Sequence, residues 1–326
     1  MRPGSTKTAA FILSTTVHPP SPSYRSTKVP SKVVVGIIAR PPACCVIASC
    51  AMSSSDDYML GRSEAETRRL ILQNQIYGPS TRRFFQAAGI GAGMNVLDIG
   101  SGAGDVSLLV ADLVGPRGQV TGVEMNGTIV EAARARVAAA GWTNVRFVVG
   151  DIHEVPLDSD FDAVVGRWIL MYQSDPAAVL RYLAAKLKHG GIVAFHENDF
   201  TYPPTVFPPT ELSRQFQRWA IPTPGTPGRP EMLMGTKLFK TYIEAGLPEP
   251  QLLVEAPAGG GPDWPGYEYA AQTLRSLLPA LERMIGIDPK EIDVDTLAER
   301  LREDVVRIKG IHMLPIMFGA WARKAA

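Results

Sequence analysis

The chain has 326 residues, of which 45% are hydrophobic and 20% charged, and its formal net charge is +1. This composition is typical of a globular protein with one sizeable α/β core, and no apolar run approaches the roughly 18 to 20 residues that a membrane-spanning helix needs. The first 55 residues carry six Lys or Arg and no acid, so the rest of the chain has a net charge of −5. A mildly acidic body argues against a nucleic-acid partner, which would favour a basic surface.

The first 55 residues differ in composition from the rest of the chain. They are rich in Ser, Thr and Pro and contain all three cysteines, Cys44, Cys45 and Cys50. Such a leader is typical of a mitochondrial or plastid transit peptide; the alternatives are a disordered extension and an upstream start codon ahead of a true start at Met52. We therefore expect a cytoplasmic protein, or an organellar one if residues 1–55 are a transit peptide. Because the remaining residues contain no cysteine, they offer no disulfide framework, thiolate metal site or cysteine nucleophile, and no metal site is predicted.

Residues 56–200 show a regular succession of elements. Helical spacing predicts a helix from Ser63, which Gly78-Pro79 should end, and a second short helix over about 80–88. Short β-branched runs then alternate with helical segments. The strands are "MNVLDIG", "QVTGVEM", "NVRFVVGD", "FDAVVGR" and "GGIVAFHE", and the helices cover about 104–114, 127–140 and 174–188. This alternation predicts a doubly wound, mostly parallel α/β sheet over about 90–200, with ligands beyond the carboxyl ends of its strands.

After Phe200 the pattern changes to proline-rich connectors and further helices. Helical segments cover about 210–220, 234–247, 266–284 and 294–308, and "PQLLVEAP" and "IHMLPIMFGAWARK" are predicted strands. We interpret residues 201–326 as a cap and closing strands added to the core. Residues 56–326 then form one domain.

A glycine-rich turn follows the first predicted strand in "VLDIGSGAGDVSLLV". Gly100, Gly102 and Gly104 resemble a dinucleotide loop, but Asp105 stands where the last glycine of that motif belongs. The Asp98 carboxylate before the loop would repel a pyrophosphate and would suit a cationic group such as an α-ammonium. A Walker P-loop is excluded because no Gly-Lys-Ser/Thr follows.

Two more acids end the next two strands. Glu124 lies 24 residues after Gly100, where a carboxylate accepts ribose hydroxyl protons. Asp151 ends the third strand, where it is placed to accept from an exocyclic amine while Ile152 packs beside the base. An ammonium, a ribose and an adenine occur together in S-adenosylmethionine.

On these motifs the chain resembles a class I S-adenosylmethionine-dependent methyltransferase of the small-molecule type, similar to the ubiquinone/menaquinone-biosynthesis-like group. The matching pieces are "VLDIGSGAGD", "VTGVEM", "GDIHEVPL", "FDAVVGRWILMY" and "LKHGGIVAFHE", in family order. The resemblance implies a seven-stranded Rossmann-like methyltransferase fold with an antiparallel final strand and added cap helices.

The resemblance also implies S-adenosyl-L-methionine as the cofactor, with the following roles. Asp98, Gly100, Ser101 and Gly102 line the methionine part, Glu124 the ribose, Met125, Asp151 and Ile152 the adenine, and Arg167 lies near the cofactor or acceptor. Two alternatives remain open: Gly100–Gly104 as a plain tight turn, and Met125 as ordinary core.

The candidates for acceptor chemistry cluster at the ends of the fourth and fifth strands. His196 is a candidate general base, and Arg167 and Tyr172 are candidate catalytic residues beside it. His196 has a structural alternative as a hydrogen-bonded strand histidine, and Trp168, Met171 and Tyr172 have one as core. Glu197 and Asp199 either cap the following turn or orient another side chain.

We therefore expect a methyltransferase that acts at O, N or C of a small organic metabolite, with no nucleic-acid partner and no membrane span. The alternatives are a non-catalytic S-adenosylmethionine-binding or scaffold protein, and an NAD(P)-dependent oxidoreductase, which Asp98 and the missing glycine oppose. The oligomeric state and the acceptor itself are not encoded in these motifs.

Overall fold

The computed structural model describes residues 64–200, 202–220, 231–285 and 288–325. The predicted leader over 1–55 lies outside these residues, as does Ser63, the predicted start of the first helix. Within the described part, no helix is both long and apolar enough to pass through a membrane.

A seven-stranded sheet forms the centre of the fold, in the order β3-β2-β1-β4-β5-β10-β7. Its strands are β1 (Asn95–Ile99), β2 (Gln119–Glu124), β3 (Val145–Val149), β4 (Phe161–Arg167), β5 (Leu187–Asp199), β7 (Gln251–Glu255) and β10 (Ile316–Arg323). The first five are parallel, and β10 lies antiparallel to both β5 and β7. The predicted doubly wound, mostly parallel sheet with an antiparallel final strand is confirmed.

Helices cover both faces of this sheet. They are α1 (Glu64–Ala88), α2 (Asp105–Val114), α3 (Gly127–Ala139), α4 (Pro176–Ala185) and α6 (Met234–Glu244). Along β4, Ala163 and Val165 pack with α1 and α2, whereas Val164 packs with α4 and α6. The strand is therefore buried on both faces, which explains its continuous apolar sequence.

The first helix corrects one prediction. Gly78-Pro79 does not end it, and α1 continues through Pro79 to Ala88 as one element. The hydroxyls of Ser80 and Thr81 both donate to the carbonyl of Tyr77 at 2.9 Å, which satisfies the backbone close to the proline. Because Pro79 has no N–H, the carbonyl of Gln75, four residues earlier, lacks its helical hydrogen bond. Gln75 is an exposed residue.

The cap has a small core of its own. It contains α5 (Glu211–Ala220), α7 (Gly266–Ile285), α8 (Pro289–Ile292) and α9 (Leu297–Arg307), with a three-stranded sheet of β6 (Thr205–Phe207), β8 (Ala258–Gly259) and β9 (Ile311–Met313). Trp219 is buried in this core, so it packs within the cap.

The closing segment differs from its prediction as a single strand. It forms two strands, β9 and β10, which lie in different sheets on either side of Leu314 and Pro315. Pro315 has no N–H to donate to a ladder, so the chain can change sheets at this point.

Candidate active site

Three neighbouring strands place polar side chains on one face of the sheet, at its carboxyl edge. Asp98 on β1 pairs in register with Val165 of β4, and Arg167 at the end of β4 pairs with His196 of β5. Because side chains alternate along a strand, Arg167 follows Val165 on the face covered by α1 and α2. His196 follows Ala194 on that face in the same way, so the fold brings the three polar residues together.

The glycine loop between β1 and α2 adopts a backbone that glycine favours. Gly100, Gly102 and Gly104 have φ angles of +65°, +51° and +84°. A Cβ on Gly100 would lie 2.6 Å from Cδ1 of Ile169, whereas a Cβ on Gly102 would meet no atom within 4 Å. Gly100 is thus required for packing, and Gly102 faces open space beside the loop.

An ion pair and a hydrogen bond from Arg136 hold this loop in place. Arg136 of α3 pairs with Asp105 at 2.6 Å and donates to the carbonyl of Ala103. Asp105 therefore has a structural role. It is the residue that stands where a dinucleotide loop has its last glycine.

Asp98 is a buried carboxylate with one oxygen satisfied. Its side chain is 1% exposed. Oδ2 accepts a hydrogen bond of 2.6 Å from the hydroxyl of Ser107, while Oδ1 has no partner among the described residues. Burial raises the pKa of Asp98 to about 7, against the lowering effects of Ser107 and of the Arg167 charge. A cation beside Oδ1 would favour the ionised form.

Glu124 ends β2 and is held by backbone amides. Its carboxylate accepts hydrogen bonds from Gly102 at 3.1 Å and from Asn126 at 2.9 Å, one on each oxygen. The side chain is only half-buried. Both oxygens therefore keep lone pairs available, and the carboxylate is oriented before any ligand arrives.

The residues predicted for an adenine lie around the ends of β2 and β3. Met125 is 63% exposed, so its interpretation as ordinary core is wrong. Ile152 is buried in the main core, and the half-buried Asp151 accepts from the backbone amide of His153 at 2.8 Å. Met125 and Asp151 are accessible to a ligand, whereas Ile152, predicted to pack beside the base, is a member of the core.

Arg167 is a buried cation with neutral hydrogen-bond partners. It is 8% exposed, and Nη1 donates to Asn74 Oδ1 and Thr81 Oγ1 on α1, each at 3.2 Å. Its guanidinium lies 4.9 Å from the ring centre of Trp168. Burial lowers the pKa of Arg167, but a guanidinium stays protonated at neutral pH.

His196 lies inside the protein, under α1. It is 2% exposed, its Nδ1 lies 3.3 Å from Thr81 Oγ1, and its ring packs against Phe84. Burial, with a smaller contribution from the Arg167 charge, lowers the pKa of His196 to about 3. The ring is therefore neutral at physiological pH, and Thr81 connects it to Arg167.

The segment after β4 is fixed by Glu197. Its fully buried carboxylate accepts from the backbone amides of Ile169 at 3.0 Å and Leu170 at 2.9 Å, at the start of a 3₁₀ turn over Leu170–Tyr172. Burial raises the pKa of Glu197 to about 7. Because Ile169 packs on Gly100, Glu197 supports the glycine loop indirectly.

The other candidate residues at the ends of β4 and β5 lie partly in the main core and partly at its margin. Met171 is buried in the main core, whereas Tyr172 and Trp168 are partly buried at its margin. Trp168 has a positive φ of +56°, a strained backbone for a bulky residue, and its buried Nε1 has no partner among the described residues. Asp199 accepts from the amide of Thr236 at 2.8 Å and so anchors α6.

Asn74, Thr81 and Ser107 complete the site, and the sequence does not single them out. They are helix residues whose importance comes from contacts across the fold with Arg167, His196 and Asp98. No local spacing indicates such contacts. Among the described residues, no group of His, Cys, Asp or Glu could hold a metal ion.

Known proteins are similar to this chain over parts of its length. Residues 90–221 match a family model described as a methyltransferase domain. The demethylmenaquinone methyltransferase of Listeria monocytogenes serotype 4a (strain HCC23) is 36% identical over 103 residues, which are 31% of this chain and 44% of that protein. The chain thus spans less than half the length of this relative.

Two further proteins are similar over longer stretches. Aklanonic acid methyltransferase DauC of Streptomyces sp. (strain C5) is 28% identical over 171 residues, 52% of this chain and 77% of that protein. The crystal structure of a SAM-dependent methyltransferase from Aquifex aeolicus has 19% identity and a TM-score of 0.43, and the match covers 59% of this chain and 91% of that one.

Proposed function

We propose that the protein transfers a methyl group from S-adenosylmethionine to a small organic acceptor, on the premise that residues 90–221 match a family model described as a methyltransferase domain. The observation that carries the proposal is a pair of carboxylates, Asp98 and Glu124, at the ends of adjacent parallel strands. One has a buried oxygen without a partner, and the other is oriented by two backbone amides.

The residues present fit this cofactor. The free Oδ1 of Asp98 suits an α-ammonium, and the accessible lone pairs of Glu124 suit the two hydroxyls of a ribose. The open space beside Gly102, whose amide donates to Glu124, leaves room for the chain that joins these groups. Met125 and Asp151 at the next strand end are accessible to an adenine.

The same residues disfavour a nicotinamide dinucleotide. Asp98 and Glu124 place two carboxylates around the glycine loop, and the acid in place of the last glycine, Asp105, is tied to Arg136. A pyrophosphate at this loop would face like charges within a buried region, where they are poorly screened. An NAD(P)-dependent reaction is therefore the weaker proposal.

The reaction is an in-line displacement, in which the sulfonium of the cofactor supplies an activated methyl group. The protein's contribution is alignment and the exclusion of water. The glycine loop and Glu124 orient the donor from β1 and β2, and the segment 168–172, fixed by Glu197, forms the adjoining wall. Trp168 and Tyr172 are partly buried on that segment, and we propose that they contact the acceptor.

His196 has a different role in this proposal from the predicted general base. A ring with a pKa of about 3 binds a proton too weakly to accept one at neutral pH. We assign His196 as a positioning residue, which holds Thr81 and through it Arg167. The nucleophile of the acceptor then needs to lose its proton without help from this histidine.

The acceptor is proposed to be a small molecule. The relatives described above are named for demethylmenaquinone and aklanonic acid, both small organic molecules. The partly buried aromatic side chains Trp168 and Tyr172 suit an apolar ring better than a highly charged polymer.

The proposal is tested by titration calorimetry with S-adenosylhomocysteine, followed by an acceptor screen with S-[methyl-³H]adenosylmethionine. Binding of S-adenosylhomocysteine in preference to NAD⁺ supports the methyltransferase, and the reverse preference contradicts it. Methyl transfer to any compound of a quinone, phenol and organic-acid panel distinguishes an enzyme from a non-catalytic binding protein. A protein that binds the cofactor but releases none of the label to the panel would support the second function.

A further inference from the structure

The two edges of the central sheet differ in how they are protected. Strand β3 forms one edge, and its exposed Arg146 pairs with Asp158. Strand β7 forms the other edge, and among the residues that the structure describes it pairs only with β10. Its middle residues are Leu252, Leu253 and Val254, none of which is charged. Charges on an edge strand normally prevent it from pairing with another chain, and the middle of β7 lacks this protection.

The exposed side chains in the middle of β7 are apolar and lie on one face of the sheet. Leu252 and Val254 are 45% and 48% exposed. They lie opposite Ala320 and Phe318 of β10, and therefore on the same face as these two residues. Ala320 is buried in the main core together with side chains of α6. Helix α6 thus covers β10 on this face and leaves the apolar side chains of β7 open.

Helix α6 adds apolar surface beside this strand. The hydroxyl of Tyr242 on α6 donates to the carbonyl of Ala320 at 2.7 Å, so the helix lies next to the strand on the same face. Phe239 and Ile243 lie one turn apart on this helix and are 43% and 44% exposed. Exposed apolar side chains grouped in this way mark protein–protein contacts.

A second copy of β7 fits this edge in an antiparallel register. With Leu253 on a twofold axis, Leu252 of one copy lies opposite Val254 of the other. Gln251 then lies opposite Glu255. Apolar side chains therefore meet apolar side chains, and no like charges face each other across the pair.

The residues at the ends of β7 disfavour the neighbouring registers. Moving the axis to Leu252 would bring Pro250 opposite Val254, and a proline has no N–H to donate to the ladder. Moving the axis to Val254 would bring the carboxylate of Glu255 opposite Leu253. The strand is thus complementary to itself in the register centred on Leu253.

We propose that β7 pairs with β7 of a second copy of this chain, which joins the two central sheets in a symmetric dimer. The pairing gives the outward N–H and C=O groups of β7 hydrogen-bond partners, and it removes Leu252 and Val254 of both copies from water. The inference does not depend on the proposed function, because none of the residues assigned to the cofactor lies on β7 or α6.

Analytical ultracentrifugation of the full chain over a dilution series tests the proposal. The wild type should have twice the mass of a single chain. Leu252→Lys and Val254→Glu should each raise the dimer dissociation constant at least about tenfold, since each places an unpaired charge among apolar side chains. The matched control is Val306→Lys, at a 40% exposed apolar position on α9, which should leave the constant unchanged.

An equimolar mixture of Leu252→Lys and Val254→Glu tests the register. In the proposed pairing the new lysine of one chain lies opposite the new glutamate of the other, so the mixture should dimerise more strongly than either variant alone. A mixture that stays monomeric overturns the strand pairing. So does a wild type that is monomeric at every concentration, or a dimer that both variants leave intact.

Hydrogen exchange of the wild type covers the case in which a variant does not fold. The amides of residues 251–255 should exchange more slowly in the concentrated protein than after dilution, because pairing with a second copy protects them. Rates that do not depend on concentration overturn the proposal. Slow exchange in a monomeric wild type would place another segment of the same chain at this edge, and it overturns the proposal as well.

Discussion

The carboxylate of Glu124 accepts a hydrogen bond from the backbone amide of Gly102, across the gap between the ends of β2 and β1. A second amide, from Asn126, binds the other oxygen. The glutamate thus joins the glycine loop to the start of α3 before any ligand binds. The orientation of this carboxylate is set by backbone groups, which depend little on side-chain identity nearby.

Replacing Glu124 with Ala should therefore weaken S-adenosylhomocysteine by about 10- to 100-fold, since hydrogen bonds to a charged group contribute about 1.5–3 kcal/mol. Calorimetry measures the effect, and thermal unfolding shows whether the loop has been disturbed. Glu131→Ala, which removes an exposed glutamate paired with Arg134 on α3, is the matched control. An affinity equal to that of the wild type would remove Glu124 from the cofactor site.

Two glycines of the loop should respond differently to alanine. Gly102→Ala places a Cβ in open space at φ +51°, so it should cost only about 1–2 kcal/mol of stability while filling the ligand's path. Gly100→Ala places a Cβ 2.6 Å from Ile169, so it should destabilise the fold more strongly.

The test measures unfolding temperature and S-adenosylhomocysteine affinity for both variants. Gly102→Ala should lose affinity with a small change in unfolding temperature. Gly100→Ala should lose stability, part of which Ile169→Ala in the same chain should restore. If Gly102→Ala binds normally, the open space beside it is not the ligand's path.

Much of this fold follows from local sequence patterns. The parallel strands are continuous apolar runs that end in Asp98 and Glu124, and strand ends in such a sheet meet at one edge. The sequence therefore predicted where the carboxylates lie, and the structure brings them together. The partners of Arg167 were not predictable in this way, because Thr81 contacts it across the fold from a helix 86 residues earlier in the chain.

Packing across the fold also explains the wrong helix end and the burial of His196. Gly78-Pro79 is a strong local signal for a helix end, but the hydroxyls of Ser80 and Thr81 and the packing of α1 on the sheet outweigh it. His196 was a reasonable candidate base by position and by its ordinary pKa. Its position under Phe84 arises from tertiary packing, so it cannot be predicted from the spacing of residues in the sequence.

Asp98 should make cofactor affinity depend on pH. Its pKa is raised to about 7 by burial, and only the ionised form attracts an ammonium. As the pH falls below about 7, the affinity for S-adenosylhomocysteine should fall by up to about tenfold per pH unit, since a proton must leave before the ligand binds. Calorimetry between about pH 5.5 and about pH 8.5 should show this slope in the wild type and not in Asp98→Asn.

The same shift predicts an effect of the opposite sign on stability. Between the ordinary pKa of 3.8 and the raised value of about 7, the folded protein binds a proton that the unfolded chain releases. The free energy of unfolding of the wild type, relative to that of Asp98→Asn, should therefore fall as the pH rises through this range. A difference that is constant with pH would show that Asp98 is already ionised in the folded protein.

His196 gives a prediction that separates a base from a positioning residue. With a pKa of about 3, its ring should stay neutral from roughly pH 5 to 8. NMR of the histidine ring Cε1–H signals measures this directly, and the signal that is absent from His196→Gln identifies the residue. The signal should not move over this range, and a titration midpoint near neutral pH would restore the general-base hypothesis.

The pH dependence of the free energy of unfolding tests the pKa of His196 independently. Because the folded pKa of His196 lies below the ordinary value of 6.5, the unfolded chain binds a proton that the folded protein does not. The wild type should therefore lose stability relative to His196→Gln as the pH falls from about 6.5 towards 3, and this contribution should be complete above about 6.5. Turnover of His196→Gln should keep the shape of the wild-type pH profile, since a positioning residue changes the rate without supplying an ionisation. An acidic limb, on which activity falls as the pH drops, that disappears in this variant would instead show that His196 takes the proton itself.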